Sequence, residues 1–486
     1  MLSDRESNVP RIGHWIGGQS VDSADHQTFL NVDPETGECL AEVLLGNETE
    51  IVAAVEAAQI AQQRFAATGP SEREAILHRA ADLLRRDQDD FIDLLIREIG
   101  SPVSKARLEI AIATRTLSAN ASLARRMTGR TYPSDVPGRM SFAIRQPLGV
   151  VAGITPFNVP LVKGVKHSST PIATGNSFVW LPSQQAPLLA NRLATLYAEA
   201  GVPAGVFNVV HGEGGVLGPA LIKHPSVQAV SFTGSAQVGR QVQAACGEFQ
   251  KRVTLELGGK NPILIFEDAD LKQAVSAAVR GAFIYQGQIC MASSRIIVHK
   301  NIAGVLTDSV VAAASALSCG DLRDPSTVIG PVIDQAARQR IDDHLNDAVR
   351  LGATIQCGNV WNGNRMNPTV VTGVTSEMRL YREESFGPLV TIEVADDEAH
   401  AMQLAHASSA MLSAAVFTRD LDRAMRVSRS LCCGMVHVNE MTIQQEPEVP
   451  FGGDGGSGFG REGLETGVED YTKWKWITIN GSASAS

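Results

Sequence analysis

From residue 148 onward the chain alternates short, β-rich apolar runs with stretches of helical spacing. That alternation restricts what it can fold into more than any other feature. The runs at 149–154, 177–181, 205–210 and 229–232 are strand-like, and helix-like stretches such as 187–200 separate them. Strand, helix, strand in succession implies a parallel sheet clothed by helices, because a parallel return needs a crossover long enough to hold a helix. Such a sheet binds ligands beyond the carboxyl ends of its strands. A second alternating block begins with NPILIF at 261 and continues through 295–299, 389–394 and 414–417. The part before 148 reads as helices: Ile51, Val52, Val55 and Ala58 fall on one face, and 75–99 repeats apolar residues at helical spacing. After Pro450 the sequence FGGDGGSGFGREG is too glycine-rich for a helix or regular strand and reads as a loop. Strand character returns at 473–479, and the closing NGSASAS reads as a disordered tail.

At 486 residues the chain has room for about three structural units. Lys plus Arg number 42 against 52 Asp plus Glu, a formal charge of −10, which argues against nucleic acid or an anionic membrane as the main partner. The longest uncharged stretch, between Arg145 and Lys163, contains Pro147, Pro156, Asn158 and Pro160, so no spanning helix is expected. The N-terminal residues have no apolar core of signal-peptide length, and the expected location is the cytoplasm. Seven scattered cysteines without a CxxC pair indicate neither a disulfide framework nor a metal site.

Four local patterns could carry chemistry. In SFTGSAQVG (231–239) a strand meets a helix through glycines and Ser235, which leaves backbone N–H groups for an anion such as a pyrophosphate; an ordinary tight turn fits equally well. In GQICMASSR (287–295), Cys290 follows a glycine among small residues; a single cysteine is by default an inert core residue. In LELGGKN (255–261), Glu256 lies in an apolar stretch beside two glycines, where a carboxylate is either ion-paired or desolvated toward general-base range. In TPFNVP (155–160), Asn158 is a turn residue or an oriented amide donor.

Together, and in this order, the four patterns resemble the motifs of the aldehyde dehydrogenase superfamily, with likeness from about residue 10 to 480. Glu384-Ser-Phe386-Gly-Pro388 resembles the family's EIFGP, and PFGG with SGFGRE (450–453 and 457–462) resembles its C-terminal signature. The resemblance implies an α/β fold: a Rossmann-type cofactor domain from 1–125 and 148–258, an α/β catalytic domain from 259–468, and a small β oligomerisation element from 126–147 and 469–483. It implies that Cys290 attacks an aldehyde as thiolate, that Asn158 and a backbone N–H hold the oxyanion, and that Glu256 activates water to release the acid. Coenzyme-A-acylating relatives generally lack the glutamate found at 256. NAD, with NADP as the alternative, would be held by Ile154, Pro156, Phe157, Leu181, Gln184, Gly234, Ser235, Leu257, Glu384 and Phe386. Substrate contacts would come from Val162, Lys163, Lys166, Ile289, Met291 and Phe451. A non-catalytic binding protein has no chemical need for Cys290, Glu256 and Asn158 together.

The departures matter as well. Where many members read KPSE, this chain reads Leu181-Pro182-Ser183-Gln184, so the usual lysine and glutamate at the adenosine ribose are absent. A neutral Gln184 would not repel a 2′-phosphate, and Leu181 offers no cation to attract one. His167 stands at a usual lysine position, with Lys166 beside it. The segment NEMTIQQEPEVPF (439–451) resembles the substrate loop of vanillin, salicylaldehyde and benzaldehyde dehydrogenases, which also tend to carry a basic residue at position 166. Aromatic aldehydes are therefore the first expected substrate class and aliphatic aldehydes or semialdehydes the second. Lys163 and Lys166 are expected as cations facing polar aromatic substrates, and a homodimer or homotetramer as the assembly.

Overall fold

The computed structural model describes residues 9–23, 25–408 and 410–480. The tail reading at 481–486 and the reading of residues 1–8 lie outside these positions. The molecule is α/β, built on two large sheets and a smaller ribbon. In the first sheet the parallel strands run in the order Arg252–Leu257, Val227–Gly234, Val150–Ile154, Ser177–Leu181 and Phe207–Val209. Antiparallel strands close both edges: Gly458–Phe459 beside Arg252–Leu257, and His14–Ile16 with Gln19–Val21 beyond Phe207–Val209. In Ser177–Leu181 all five residues are buried, as a strand covered by helices on both faces requires.

The second sheet has the order Thr354–Cys357, Thr369–Thr372, Leu389–Ala395, Ser293–His299, Asn261–Ile265, Ser413–Phe417 and Met435–Val438, and is parallel except at its first pair. The ribbon pairs Arg139–Pro147 with Thr472–Asn480 along nine residues, with Arg130–Tyr132 on its other side. Among the described residues no helix is long and apolar enough to cross a membrane.

Two readings from sequence need correction. The first third is not helical throughout: five strands between Arg11 and Leu44 precede the helices. Three of them, Arg11–Ile12, His14–Ile16 and Gln19–Val21, are too short for a period of two to emerge. The helical spacing at 75–99 falls in two helices, Pro70–Arg86 and Gln88–Ile99, which meet at Asp87. The glycine-rich stretch is not wholly loop either. Gly458–Phe459 extends the first sheet, with Gly458 opposite Glu256. A Cβ at Gly458 would lie 2.6 Å from the Leu255 carbonyl oxygen, so only glycine lets the backbones approach this closely.

The helix Pro160–Ala173 packs against the first sheet and is buried on every side, all fourteen of its residues included. Its fit depends on Gly164, where a Cβ would fall 2.6 Å from the Trp180 ring. Phe178, Trp180, Tyr197 and Phe207 form the aromatic part of this core, with Tyr197 edge-on to Phe207 at 4.9 Å.

Candidate active site

A cleft of about 280 Å³ opens between the two large sheets. From the first sheet come groups at or just past the carboxyl ends of strands: Pro156, Phe157 and Asn158 after Val150–Ile154, Gly234 and Ser235 after Val227–Gly234, and Glu256 with Leu257 from Arg252–Leu257. From the second sheet come groups just before strands: Cys290 ahead of Ser293–His299, and Glu384 with Phe386 ahead of Leu389–Ala395. The crossovers therefore bring the carboxyl ends of one sheet to the amino ends of the other.

Asn158 is buried, and its Nδ2 donates to the Gln288 carbonyl oxygen at 3.0 Å. That bond orients the amide and leaves its second N–H available. Cys290 is half-buried, and its own carbonyl accepts from Asn261 Nδ2 at 2.7 Å. Burial pushes the Cys290 thiol up to about 11; Lys163 opposes this, while Glu256, Glu384 and Glu462 add to it. The backbone leading to Cys290 is strained. Tyr285 and Gln286 both take left-handed conformations, with φ of 50° and 42°, each costing on the order of 1–3 kcal/mol in a non-glycine residue. Gln286 is held there by its amide, which donates to the Pro331 carbonyl at 2.6 Å and accepts from the Gly330 N–H at 3.0 Å.

Glu256 is buried, and neither of its carboxylate oxygens has a hydrogen-bond partner among the described residues. Burial, reinforced by the negative charge of Glu462, raises its pKa well above the usual carboxylate value, against the pull of Lys163, Lys166 and Arg461. The glycine-rich loop presses on it: a Cβ at Gly452 would meet Glu256 Oε1 at 2.4 Å.

Ser235 caps the helix Ala236–Glu248, its Oγ accepting from the Val238 N–H at 3.3 Å, and no acidic residue stands in that helix's first turn. Glu384 Oε1 accepts from the Gly259 N–H at 3.3 Å; burial raises its pKa to about 7, while that N–H, Lys260 and Arg340 lower it. Phe386 is left-handed at φ 51° and meets Phe157 edge-on, 6.1 Å between ring centres.

The cleft thus gathers Cys290, Glu256 and Asn158 with seven of the expected cofactor residues. Ile154 and Leu181 stand side by side in the sheet register at the strand ends, and Gln184 follows in the next loop; none of these three lines the cleft. Val162, Lys163, Lys166, Ile289, Met291 and Phe451 are all buried and do not line it. The lysines do not present free charges to a substrate, contrary to expectation. Lys163 Nζ lies 2.9 Å from Glu462 Oε2, Lys166 Nζ lies 3.2 Å from the same oxygen, and His167 Nε2 reaches Oε1 at 3.0 Å. Burial lowers the His167 pKa, against the pull of Glu462. Burial alone would raise the pKa of Glu462, but Lys163, Lys166 and His167 bring it well below the usual value. Both ammonium groups also lie over the Phe451 ring, Lys163 Nζ 5.3 Å and Lys166 Nζ 4.3 Å from its centre.

Glu462 is a residue whose part sequence reasoning missed. It closes the SGFGRE motif, but nothing local shows what it pairs with, because its partners lie about 300 positions away. Arg340 is another: it lines the cleft from the helix Gln335–Arg350 and donates from Nε to the Ser385 carbonyl at 3.1 Å.

A family profile described as the aldehyde dehydrogenase family matches residues 21–477. A vanillin dehydrogenase of Corynebacterium glutamicum is 39% identical over 472 residues, covering 96% of this chain and 98% of its own. The NADP(+) succinate-semialdehyde dehydrogenase GabD of Escherichia coli is 36% identical over 477 residues, covering 98% and 99%. Among solved structures, a salicylaldehyde dehydrogenase from Pseudomonas putida G7 complexed with salicylaldehyde superposes with a TM-score of 0.94 at 33% identity, covering 98% of this chain and 99% of that one.

Proposed function

This chain belongs to the aldehyde dehydrogenase family, and from that premise we propose that it oxidises an aromatic aldehyde to its carboxylic acid, with Cys290 as nucleophile, Asn158 as oxyanion donor and Glu256 as general base. The observation that carries the reading is the meeting of these three side chains in one cleft with the Gly234–Ser235 helix start.

The thiol of Cys290 is mostly protonated near neutral pH, so attack needs a proton acceptor. Glu256 suits that role, since both its oxygens are unbonded and its pKa stands raised toward the working range. The thiolate adds to the aldehyde carbon, and the Asn158 N–H not used by Gln288 is the donor for the developing oxyanion in this reading. The first turn of Ala236–Glu248, free of acidic side chains and preceded by a glycine, fits a pyrophosphate, and Glu384 at the opposite side of the cleft fits a ribose. A nicotinamide cofactor held by these residues would supply the hydride acceptor that turns the thiohemiacetal on Cys290 into a thioester. Once its first proton has passed to solvent, Glu256 draws a proton from water as the water attacks the Cys290 thioester; the carbon–sulfur bond breaks, the Cys290 thiolate leaves and the acid is released. NAD is the favoured cofactor and NADP the alternative, because the neutral Gln184 gives no carboxylate to repel a 2′-phosphate.

The vanillin and salicylaldehyde relatives support the aromatic class. A semialdehyde is the second reading, favoured by the similarity to succinate-semialdehyde dehydrogenase. Turnover of benzaldehyde, vanillin, salicylaldehyde and succinate semialdehyde, each with NAD and with NADP, tests both readings. An aliphatic semialdehyde outperforming every aromatic substrate overturns the first.

We assign Thr472–Asn480 to assembly with a second copy. Its outer edge pairs with nothing among the described residues, and Trp476 on it is 70% exposed. A monomeric mass by light scattering would overturn that assignment.

A further inference from the structure

The helix Val103–Ala121 buries two charges, Lys105 and Glu109, one turn apart and paired with each other. A buried ion pair is seldom the most stable choice, since apolar residues of similar size avoid the desolvation cost. The remaining contacts of this pair give it another use. Lys105 Nζ donates to the Asn158 carbonyl oxygen at 2.7 Å. The free oxygen of Glu109 accepts the Leu161 and Val162 N–H groups at 2.9 and 3.2 Å, first-turn donors of the helix Pro160–Ala173. The two side chains therefore grip the backbone on either side of Val159 and Pro160. The same ammonium rests over the Tyr285 ring, 4.2 Å from its centre, and Tyr285 is pinned by its hydroxyl, which donates to the Ile99 carbonyl at 2.9 Å. Tyr285 opens the strained turn that delivers Cys290.

We infer that Lys105 is a positioning residue for the reaction: one buried ammonium ties the segment bearing Asn158 to the segment bearing Cys290 and so fixes the oxyanion pocket before substrate arrives. This rests on the reading of Asn158 as oxyanion donor. A displacement of about 1 Å at such a group can cost about a hundredfold in rate.

The test removes the pair without stranding a charge. Lys105→Met is combined with Glu109→Gln, whose side-chain carbonyl can still accept the helix N–H groups. Single-turnover reduction of NAD is measured with the best of the four aldehydes named under the proposed function, in wild-type and Asn158→Ala backgrounds, alongside the NAD dissociation constant by fluorescence. The expected result is a ten- to hundredfold slower turnover in the wild-type background and less than threefold in the Asn158→Ala background, with NAD affinity held within twofold. Equal losses in both backgrounds, or no loss in the first, overturn the inference. Loss of NAD binding together with the rate also overturns it, because the pair would then be a folding contact. If Asn158→Ala alone leaves the rate unchanged, the oxyanion reading fails, and this inference with it.

Discussion

The strand end that carries Glu256 pairs with Gly458–Phe459, the chain runs on three residues to Glu462, and both places hold a buried carboxylate. Glu256 has no hydrogen-bond partner for either oxygen among the described residues, and its pKa stands well above the carboxylate range. Glu462 touches Lys163, Lys166 and His167, and its pKa stands well below that range. Burial pushes both upward; the partners decide the outcome. Glu462 keeps its charge and holds structure, and that same charge raises the proton affinity of Glu256, which a general base needs.

The sharpest way to test this contrast is Glu256→Gln. The first burst of reduced cofactor should slow, because Glu256 also takes the thiol proton, but by less than steady turnover, which should fall by about 10²–10⁴, the usual worth of a general base. Rapid-mixing absorbance reads both phases, and equal loss in the two would mean that Glu256 serves mainly to activate the thiol. Glu462→Gln should instead act on the fold, because it leaves two buried lysines without their carboxylate. A loss of about 3–5 kcal/mol in urea unfolding is expected. In the same variant the pH at which turnover rises should move to lower values, since the charge that raises the Glu256 pKa is gone.

The stability of the two sites should also respond to pH with opposite sign. Glu462 has a depressed folded pKa, so its pairing stabilises above the ordinary carboxylate pKa and is lost as pH falls through the folded value. Glu256 has a raised folded pKa, so the unfolded chain gains by ionising between the ordinary value and the folded one, and burial there costs stability. Glu256→Gln should therefore raise stability at pH 7 by about 0.5–2 kcal/mol, a gain that vanishes below the ordinary carboxylate pKa. Thermal melts at pH 4 and pH 7 would show it. The smallest effect is expected from Lys166→Met. With its charge spent on Glu462, its loss should leave the ranking of hydroxylated over plain benzaldehydes within about threefold of wild type. A tenfold change in that ranking would return Lys166 to the substrate pocket.

Much of the site was legible because its chemistry sits in contiguous motifs. Cys290 and Asn158 each stand in a short segment beside a strand and Glu256 at a strand's end, and a buried strand such as Ser177–Leu181 shows as an unbroken apolar run. The Glu462 cluster joins residues about 300 positions apart, and no local period records that. Lys105 at helical spacing from Glu109 reads like any surface pair, because pattern alone does not show that the helix is covered. The strand Gly458–Phe459 was hidden by composition, since glycine carries no side chain to reveal a pleat.

The helix Pro160–Ala173, enclosed along its whole length, has no side from which water can reach its amides without parting the sheet from its cover. Deuterium should therefore enter peptides from this segment only when the whole unit opens, later than in the exposed ribbon Thr472–Asn480. Its exchange rate would serve as an internal clock for global opening, and a ligand that slows this clock would be one that binds the closed molecule alone.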